Sequence, residues 1–308
     1  MSAPDGPLKV GLQLPEVERV VPWTELRRMA ELAEEAGFDS LWVGDHLLYR
    51  YADGSARGPW EAWSTLAAVA AVTARVQLGP LVASTSFHNP AMLAKKAATI
   101  DEISGGRLVL GLGAGWNETE YRAYGYPFDR RVERFEEAFT IIRTLVADGA
   151  IDFVGRHYEV HDCELLPRGP RPAGPPLMIG STGPRMLRIA LPHVQAWNAW
   201  YSSFGNDVAQ LGGLLRQVDD ACRDVGRDPG SVERSVALLV GMPGGAGRLT
   251  VYQADQPVRA LPGTPAELAD RLRAFAALGV AHVQLVLDPI TVGSIEQVAG
   301  VLEVLDRG

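Results

Sequence analysis

The fold class predicted by the sequence is α/β: a parallel (βα)8 TIM barrel. Three observations predict it. Short apolar runs alternate with amphipathic stretches along the whole chain, which is the signature of a parallel sheet with helical crossovers. The runs are almost wholly apolar, as expected of strands covered on both faces. The first of them gives way to Leu14-Pro15-Glu16 instead of the glycine-rich turn that opens a doubly wound dinucleotide-binding sheet. A barrel can occupy all 308 residues as one domain, so 1–308 is expected to be a single unit. Insertions are expected after strands 4 and 7.

The elements read in order. Val10 to Leu14 is the first strand, stopped by Pro15. Thr24 to Glu35 is a helix, with Leu26, Met29, Ala30 and Ala33 at helical spacing and Gly37 just beyond its end. Strand Ser40–Val43 follows, then helix Glu61–Thr73, strand Val76–Val82, helix Ala91–Ile103 and strand Leu108–Leu112. The rhythm continues with helix Glu133–Val146, strand Leu177–Ile179, helix Arg185–Leu191, strand Gln195–Ala199 and helix Val208–Val225. Strand Val236–Val240, helix Pro265–Leu278, strand His282–Leu287 and helix Ile295–Leu305 complete it. Three connections are longer than usual. Asn117–Arg131 follows the fourth strand. Asp148–Pro176 carries a hairpin-like pattern, Ile151-Asp-Phe-Val and His157-Tyr-Glu-Val around Gly155-Arg156. Gly241–Gly263, rich in glycine, is expected to be a mobile loop.

A formal charge of −8 and a pI near 5.3 argue against nucleic-acid or anionic-membrane partners, which reward a basic surface. No uncharged run is long enough to span a bilayer, and no signal segment is apparent. The two cysteines, Cys163 and Cys222, have no metal-ligand spacing. A reduced, cytoplasmic setting and a small-molecule substrate are expected. His157 and His161 frame H-Y-E-V-H on a predicted strand, where that spacing makes no metal face, so no metal site is expected.

Chemistry is expected where strands end. Gly111-Leu112-Gly113-Ala114-Gly115 lacks the spacing, the following helix and the distant acid of a dinucleotide fingerprint. Its small residues either relieve crowding at the rim or let a flat ring approach the backbone. Ile179-Gly180-Ser181-Thr182-Gly183-Pro184-Arg185 joins a strand to a helix. Its hydroxyls and free N–H groups suit a phosphate, and Ser181 or Thr182 could equally cap the helix with Pro184 as its first residue. Asp45-His46 ends the second strand. Trp116, Trp197, Trp200 and Tyr201 bunch at the same end as walls of an apolar substrate pocket, with Trp197 alternatively in the core.

In order and spacing these segments resemble the luciferase-like monooxygenase superfamily, and within it the branch that uses coenzyme F420, a deazaflavin. The resemblance runs from Gly11-Leu12-Gln13 through Asp45-His46, Leu81-Val82-Ala83-Ser84, the G-L-G-A-G-W-N-E run and I-G-S-T-G-P-R to Ala196-Trp197-Asn198. It implies a cis peptide at Leu81–Val82 beneath the cofactor ring, with Gly113, Ala114 and Gly115 beside the ring and Asn117 reaching the cofactor. It also implies the phosphate on Gly180–Pro184, with His46 over the reactive carbon and Asp45 orienting it. A homodimer and a flavin or F420 reductase as functional partner are implied as well. One departure matters: the family's sugar-phosphate dehydrogenases carry a glutamate just after the glycine-rich strand end, where this chain has Trp116. The expected function is hydride transfer between F420 and an apolar or aromatic small molecule. The alternatives are a monooxygenase using reduced FMN and a flavin-binding protein without turnover.

Overall fold

The parallel wall of the barrel is made of β1 (Lys9–Gln13), β2 (Ser40–Val43), β3 (Gln77–Pro80), β4 (Leu110–Gly113), β5 (Leu177–Gly180), β6 (Ala196–Ala199), β7 (Glu233–Gly241) and β8 (His282–Asp288). The structure, a computed structural model, describes residues 7–51, 53–245, 258–262 and 264–306. First and last strands meet: β1 pairs with both β2 and β8. Pairing then runs from β8 through β7, β6 and β5 to β4, always parallel. Only the seam between β3 and β4 is sparse. There Leu78 bridges to Leu108, and Ala83–Ser84 pairs with Leu112 and Gly113. The strand expected to run unbroken over Val76–Val82 is therefore in two pieces, and between them the Leu81–Val82 peptide is cis, as the resemblance implied.

Helices α1 (Trp23–Glu35), α2 (Ala62–Val72) and α3 (Pro90–Ile103) follow the first three strands. The face of α1 read from its spacing is the one that packs inward: Leu26, Met29, Ala30 and Ala33 are buried. Asn89 caps α3 by accepting a hydrogen bond from the Met92 amide at 3.1 Å, and Pro90 is the first helical residue.

The long connection after β4 holds a helix, α4 (Glu118–Tyr124), that the sequence pattern did not single out. Its signals are local. The Asn117 side chain accepts from the Thr119 amide, Glu118 and Glu120 lie in the first turn where the helix dipole favours anions, and Gly125 ends it at φ 76°. Helix α5 (Arg131–Asp148) leads to the expected hairpin, in which Ala150–Val154 pairs antiparallel with Glu159–Glu164. Helices α6 (Pro184–Ala190), α7 (Val208–Asp224), α8 (Pro265–Ala277) and α9 (Val292–Asp306) complete the outer layer. The loop expected to be mobile over 241–263 falls mostly on 246–257 and 263, which lie outside the described residues.

The barrel interior is partly polar. Asn198 Nδ2 donates to Ser235 Oγ at 2.9 Å and Gln284 Oε1 at 2.8 Å, so three strands are tied across the centre. At the amino ends of the strands, Lys9 Nζ lies 2.8 Å from Glu233 Oε2, and Ser40 Oγ lies 2.7 Å from His282 Nε2. That end is braced for stability and leaves the opposite rim for chemistry.

Candidate active site

Each barrel strand points its carboxyl end at the same rim, and there a cavity of about 510 Å3 opens. This lies in the usual range for small-molecule sites. His46 stands in its wall, on the loop that leaves β2. Two carboxylates from other parts of the chain face the imidazole. Glu120 of α4, fully buried, brings Oε2 to 3.0 Å from His46 Nδ1 and accepts from the Leu47 and Leu48 amides at 2.6 and 3.0 Å. Glu16, just past β1, has Oε1 3.8 Å from His46 Nε2. The Glu16 carboxylate is itself fixed by Tyr49, whose hydroxyl donates to Oε1 at 2.6 Å, and by Gln13, whose Nε2 donates to Oε2 at 2.7 Å.

Burial pushes the His46 pKa down, but the Glu120 hydrogen bond and the charges of Glu16, Glu120 and Asp45 outweigh it, so the net shift is upward. The carboxylates thereby stabilise the protonated imidazole relative to that of a free histidine. Asp45 does not orient His46, contrary to expectation. Its Oδ2 accepts from the Ser84 amide at 2.9 Å and pairs with His88 Nε2 at 2.9 Å. Successive residues of an extended loop point to opposite sides, so Asp45 reaches the segment after the cis peptide while His46 reaches α4.

The glycine-rich end of β4 answers to crowding. A Cβ at Gly113 would sit 2.8 Å from Val82 Cγ2, and one at Gly180 would sit 2.8 Å from both Val82 methyls. Gly115, at φ 74°, lies so close to Tyr121 that a Cβ there would come within 2.1 Å of its hydroxyl. Small residues thus let Val82 bulge between β4 and β5. Leu81, Val82, Gly113, Ala114 and Gly115 form one wall of the cavity, and Gly180, Ser181 and Thr182 continue it.

Trp116, Trp200 and Tyr201 line the cavity as expected. The Trp116 ring meets His46 edge-on at 5.7 Å, and Trp200 lies 4.7 Å from Tyr201. Four expected site residues stand elsewhere. Trp197 is wholly buried and donates from Nε1 to the Ser181 carbonyl at 2.8 Å, so it braces the β5 loop from the core. Asn117 does not line the cavity; its oxygen caps α4 and its Nδ2 donates to the Leu48 carbonyl at 3.1 Å. Gly183 and Pro184 also lie outside the lining. Gly183, not Ser181 or Thr182, is the cap of α6, and its amide donates to Ser181 Oγ at 3.3 Å.

Sequence reasoning missed Glu16 and Glu120. The Asn117-x-x-Glu120 spacing, which resembles a capping box, is the one local signal for the second. Among the described residues no lysine or arginine lines the cavity, and no group of histidine, cysteine and acidic residues could hold a metal. No described helix is long and apolar enough to cross a membrane.

The family model described as luciferase-like monooxygenase matches residues 8–242. The chain is 35% identical over 166 residues to the 5,10-methylenetetrahydromethanopterin reductase of Archaeoglobus fulgidus, covering 54% of this chain and 46% of that protein. It is 38% identical over 189 residues to the F420-dependent glucose-6-phosphate dehydrogenase of Amycolatopsis mediterranei, covering 59% of this chain and 54% of that protein. The chain thus spans about half the length of these relatives. Among solved structures, an F420-dependent secondary alcohol dehydrogenase in complex with an F420-acetone adduct superposes with a TM-score of 0.80. The superposition covers 97% of this chain and 99% of that one at 19% identity, a likeness of fold. With the family match spanning all but the last strand and helices, this chain belongs to the luciferase-like monooxygenase family.

Proposed function

We propose that this chain is an oxidoreductase that binds coenzyme F420 in the rim cavity and moves a hydride between the deazaflavin and a neutral, apolar or aromatic small molecule. The observation that carries this reading is His46, a partly buried imidazole at the cavity wall, held at Nδ1 by Glu120 with its pKa raised by the carboxylates around it. A hydride acceptor such as a carbonyl needs one proton per hydride, and His46 is the group placed to give or take it. Reduced F420, when bound, supplies the hydride.

The residues present fit such a cofactor. The Val82 bulge and the Gly113–Gly115 backbone give a flat wall of small groups for a ring. Ser181 and Thr182 offer hydroxyls for its phosphate, helped by Ser202 and Ser203 across the cavity. At seven residues α6 is too short to lend much of a dipole, so the hydroxyls and loop amides carry that contact. Trp116, Trp200 and Tyr201 leave an aromatic face for the substrate and exclude water around the transfer. Glu16, Asp45 and Glu120, gathered at the His46 end of the cavity, disfavour a phosphorylated or carboxylate substrate there. Two F420-dependent proteins among the similar ones support the cofactor.

A second reading, a monooxygenase using reduced FMN, is favoured by the description of the family itself. The test is turnover of reduced F420 with a panel of activated enones, ketones and quinones. His46→Ala should lower turnover by about a hundredfold or more while cofactor affinity changes far less. Undiminished activity in that variant would remove His46 from the chemistry.

A further inference from the structure

Glu16 borders two cavities. It lines the 510 Å3 cavity beside His46, and it also lines a crevice of about 140 Å3 between the β1–α1 loop and α2. The crevice reaches the surface: Val20 and Trp60 in its wall are 79% and 58% exposed. Its volume is well above the about 10–15 Å3 that a single water needs and accommodates several. The Glu16 side chain, only 6% exposed, sits where these spaces approach one another. Gly44 makes room for it, since a Cβ there would be 2.8 Å from the carboxyl carbon.

The two carboxylates at His46 are not equivalent. Glu120 is fully buried and accepts two backbone amides besides the imidazole, which suits it to holding the ring. Glu16 faces the other nitrogen, Nε2, at 3.8 Å. An adjustment of about 1 Å would bring this to hydrogen-bonding distance. Bound cofactor would occupy the large cavity beside His46 and bar water from the imidazole on that side.

Resting on the reading above, we propose that Glu16 relays protons between His46 and water in the side crevice while the large cavity is occupied. In the reducing direction a hydronium ion in the crevice gives its proton to a Glu16 oxygen, leaving water. Glu16 passes that proton to Nε2 of the neutral imidazole left when His46 has protonated the substrate. The carboxylate and the imidazolium are both restored, and one proton has moved inward for each hydride transferred. Oxidation of a substrate runs the same steps outward. Glu16 acts through His46 and exchanges no proton with substrate or cofactor directly in this scheme.

The experiment is solvent exchange of the His46 ring N–H, followed by NMR on 15N-histidine-labelled protein with oxidised F420 bound. Thr65→Phe fills the crevice from α2 without contacting His46. It should slow exchange by about tenfold or more, leave the His46 pKa unchanged, and have no effect in cofactor-free protein, where the large cavity is open. Glu16→Gln should slow exchange to a similar degree. Should Thr65→Phe fail to fold, Val20→Trp at the exposed rim caps the same crevice. Exchange at the wild-type rate in the cofactor-bound, crevice-filled variant overturns the relay. Absence of F420 binding in a prior fluorescence titration is a different result: it overturns the cofactor reading, and the relay with it.

Discussion

His46 Nδ1 and Glu120 Oε2 lie 3.0 Å apart although 74 residues separate them in the chain. Helix α4 folds over the loop after β2 and clamps it, with Asn117 holding the Leu48 carbonyl and Glu120 holding two amides and the imidazole. Glu120→Gln removes the charge and keeps the shape. The His46 pKa should fall in that variant, read from the pH dependence of its ring shifts by NMR. Charge-assisted hydrogen bonds contribute about 1.5–3 kcal/mol, so stability should fall by a similar amount. The sign with pH follows from the raised folded-state pKa. The stabilisation from this pairing is full below the unfolded histidine value of about 6.5 and is lost as pH rises through the folded value. Urea unfolding at pH 6 and pH 9 should therefore separate wild type from Glu120→Gln more widely at the lower pH.

Asp45→Asn tests the reassignment of that carboxylate. Asp45 contacts the Ser84 amide and His88, and its charge is the smallest of the influences on His46. The His46 titration should shift less than in Glu120→Gln. The unfolding midpoint should drop, because a charged acceptor to a buried amide is lost. A larger histidine shift in Asp45→Asn than in Glu120→Gln would restore Asp45 as the orienting group.

At the opposite end of the barrel, burial raises the Glu233 pKa, but hydrogen bonds from His282 and Lys9 and their charges overcome it and hold the carboxyl at about 2. A depressed carboxyl pKa stabilises the fold above the unfolded value, about 4.3, and that stability is lost as pH falls through about 2. Glu233→Gln should be less stable than wild type at pH 6, with the gap closing toward pH 2. Equal unfolding free energies at pH 6 would show that the cluster contributes nothing.

Much of this fold is legible in the residues. Leu26, Met29, Ala30 and Ala33 mark the buried face of α1, and the apolar run of β7 is covered on both sides as its composition predicts. The cavity wall is legible in part, because Gly113 and Gly180 are strand-end glycines that one bulging valine requires, and Gly115 is a third that lies against Tyr121. The partners of His46 are less so. Glu16 and Glu120 approach it only when the ring closes and α4 folds back, and nothing in a linear pattern reports that approach. Adjacency misleads for Asp45, since neighbouring loop residues face different walls. Trp197 misleads differently: its place at a strand end suits a pocket wall, but the strand's alternation turns it into the core.

Trp197→Phe separates bracing from packing. The ring stays aromatic and apolar but smaller, and the bond to the Ser181 carbonyl is lost. Stability should fall by about 1–3 kcal/mol, the lost hydrogen bond and the small cavity together. Cofactor affinity should drop by a larger factor, because the braced loop carries Ser181 and Thr182 in the cavity wall. Isothermal titration beside chemical unfolding measures both.

Parallel equilibrium titration of the purified protein with coenzyme F420 and FMN asks whether the rim cavity is a deazaflavin site. Saturable binding of F420, tighter than that of FMN, is expected. Weakening by Gly113→Val is also predicted, because a larger side chain at that wall collides with Val82 and fills the space for the ring. Binding of FMN alone would move the chain to the monooxygenase reading, and binding of neither would show that the rim cavity holds no flavin or deazaflavin.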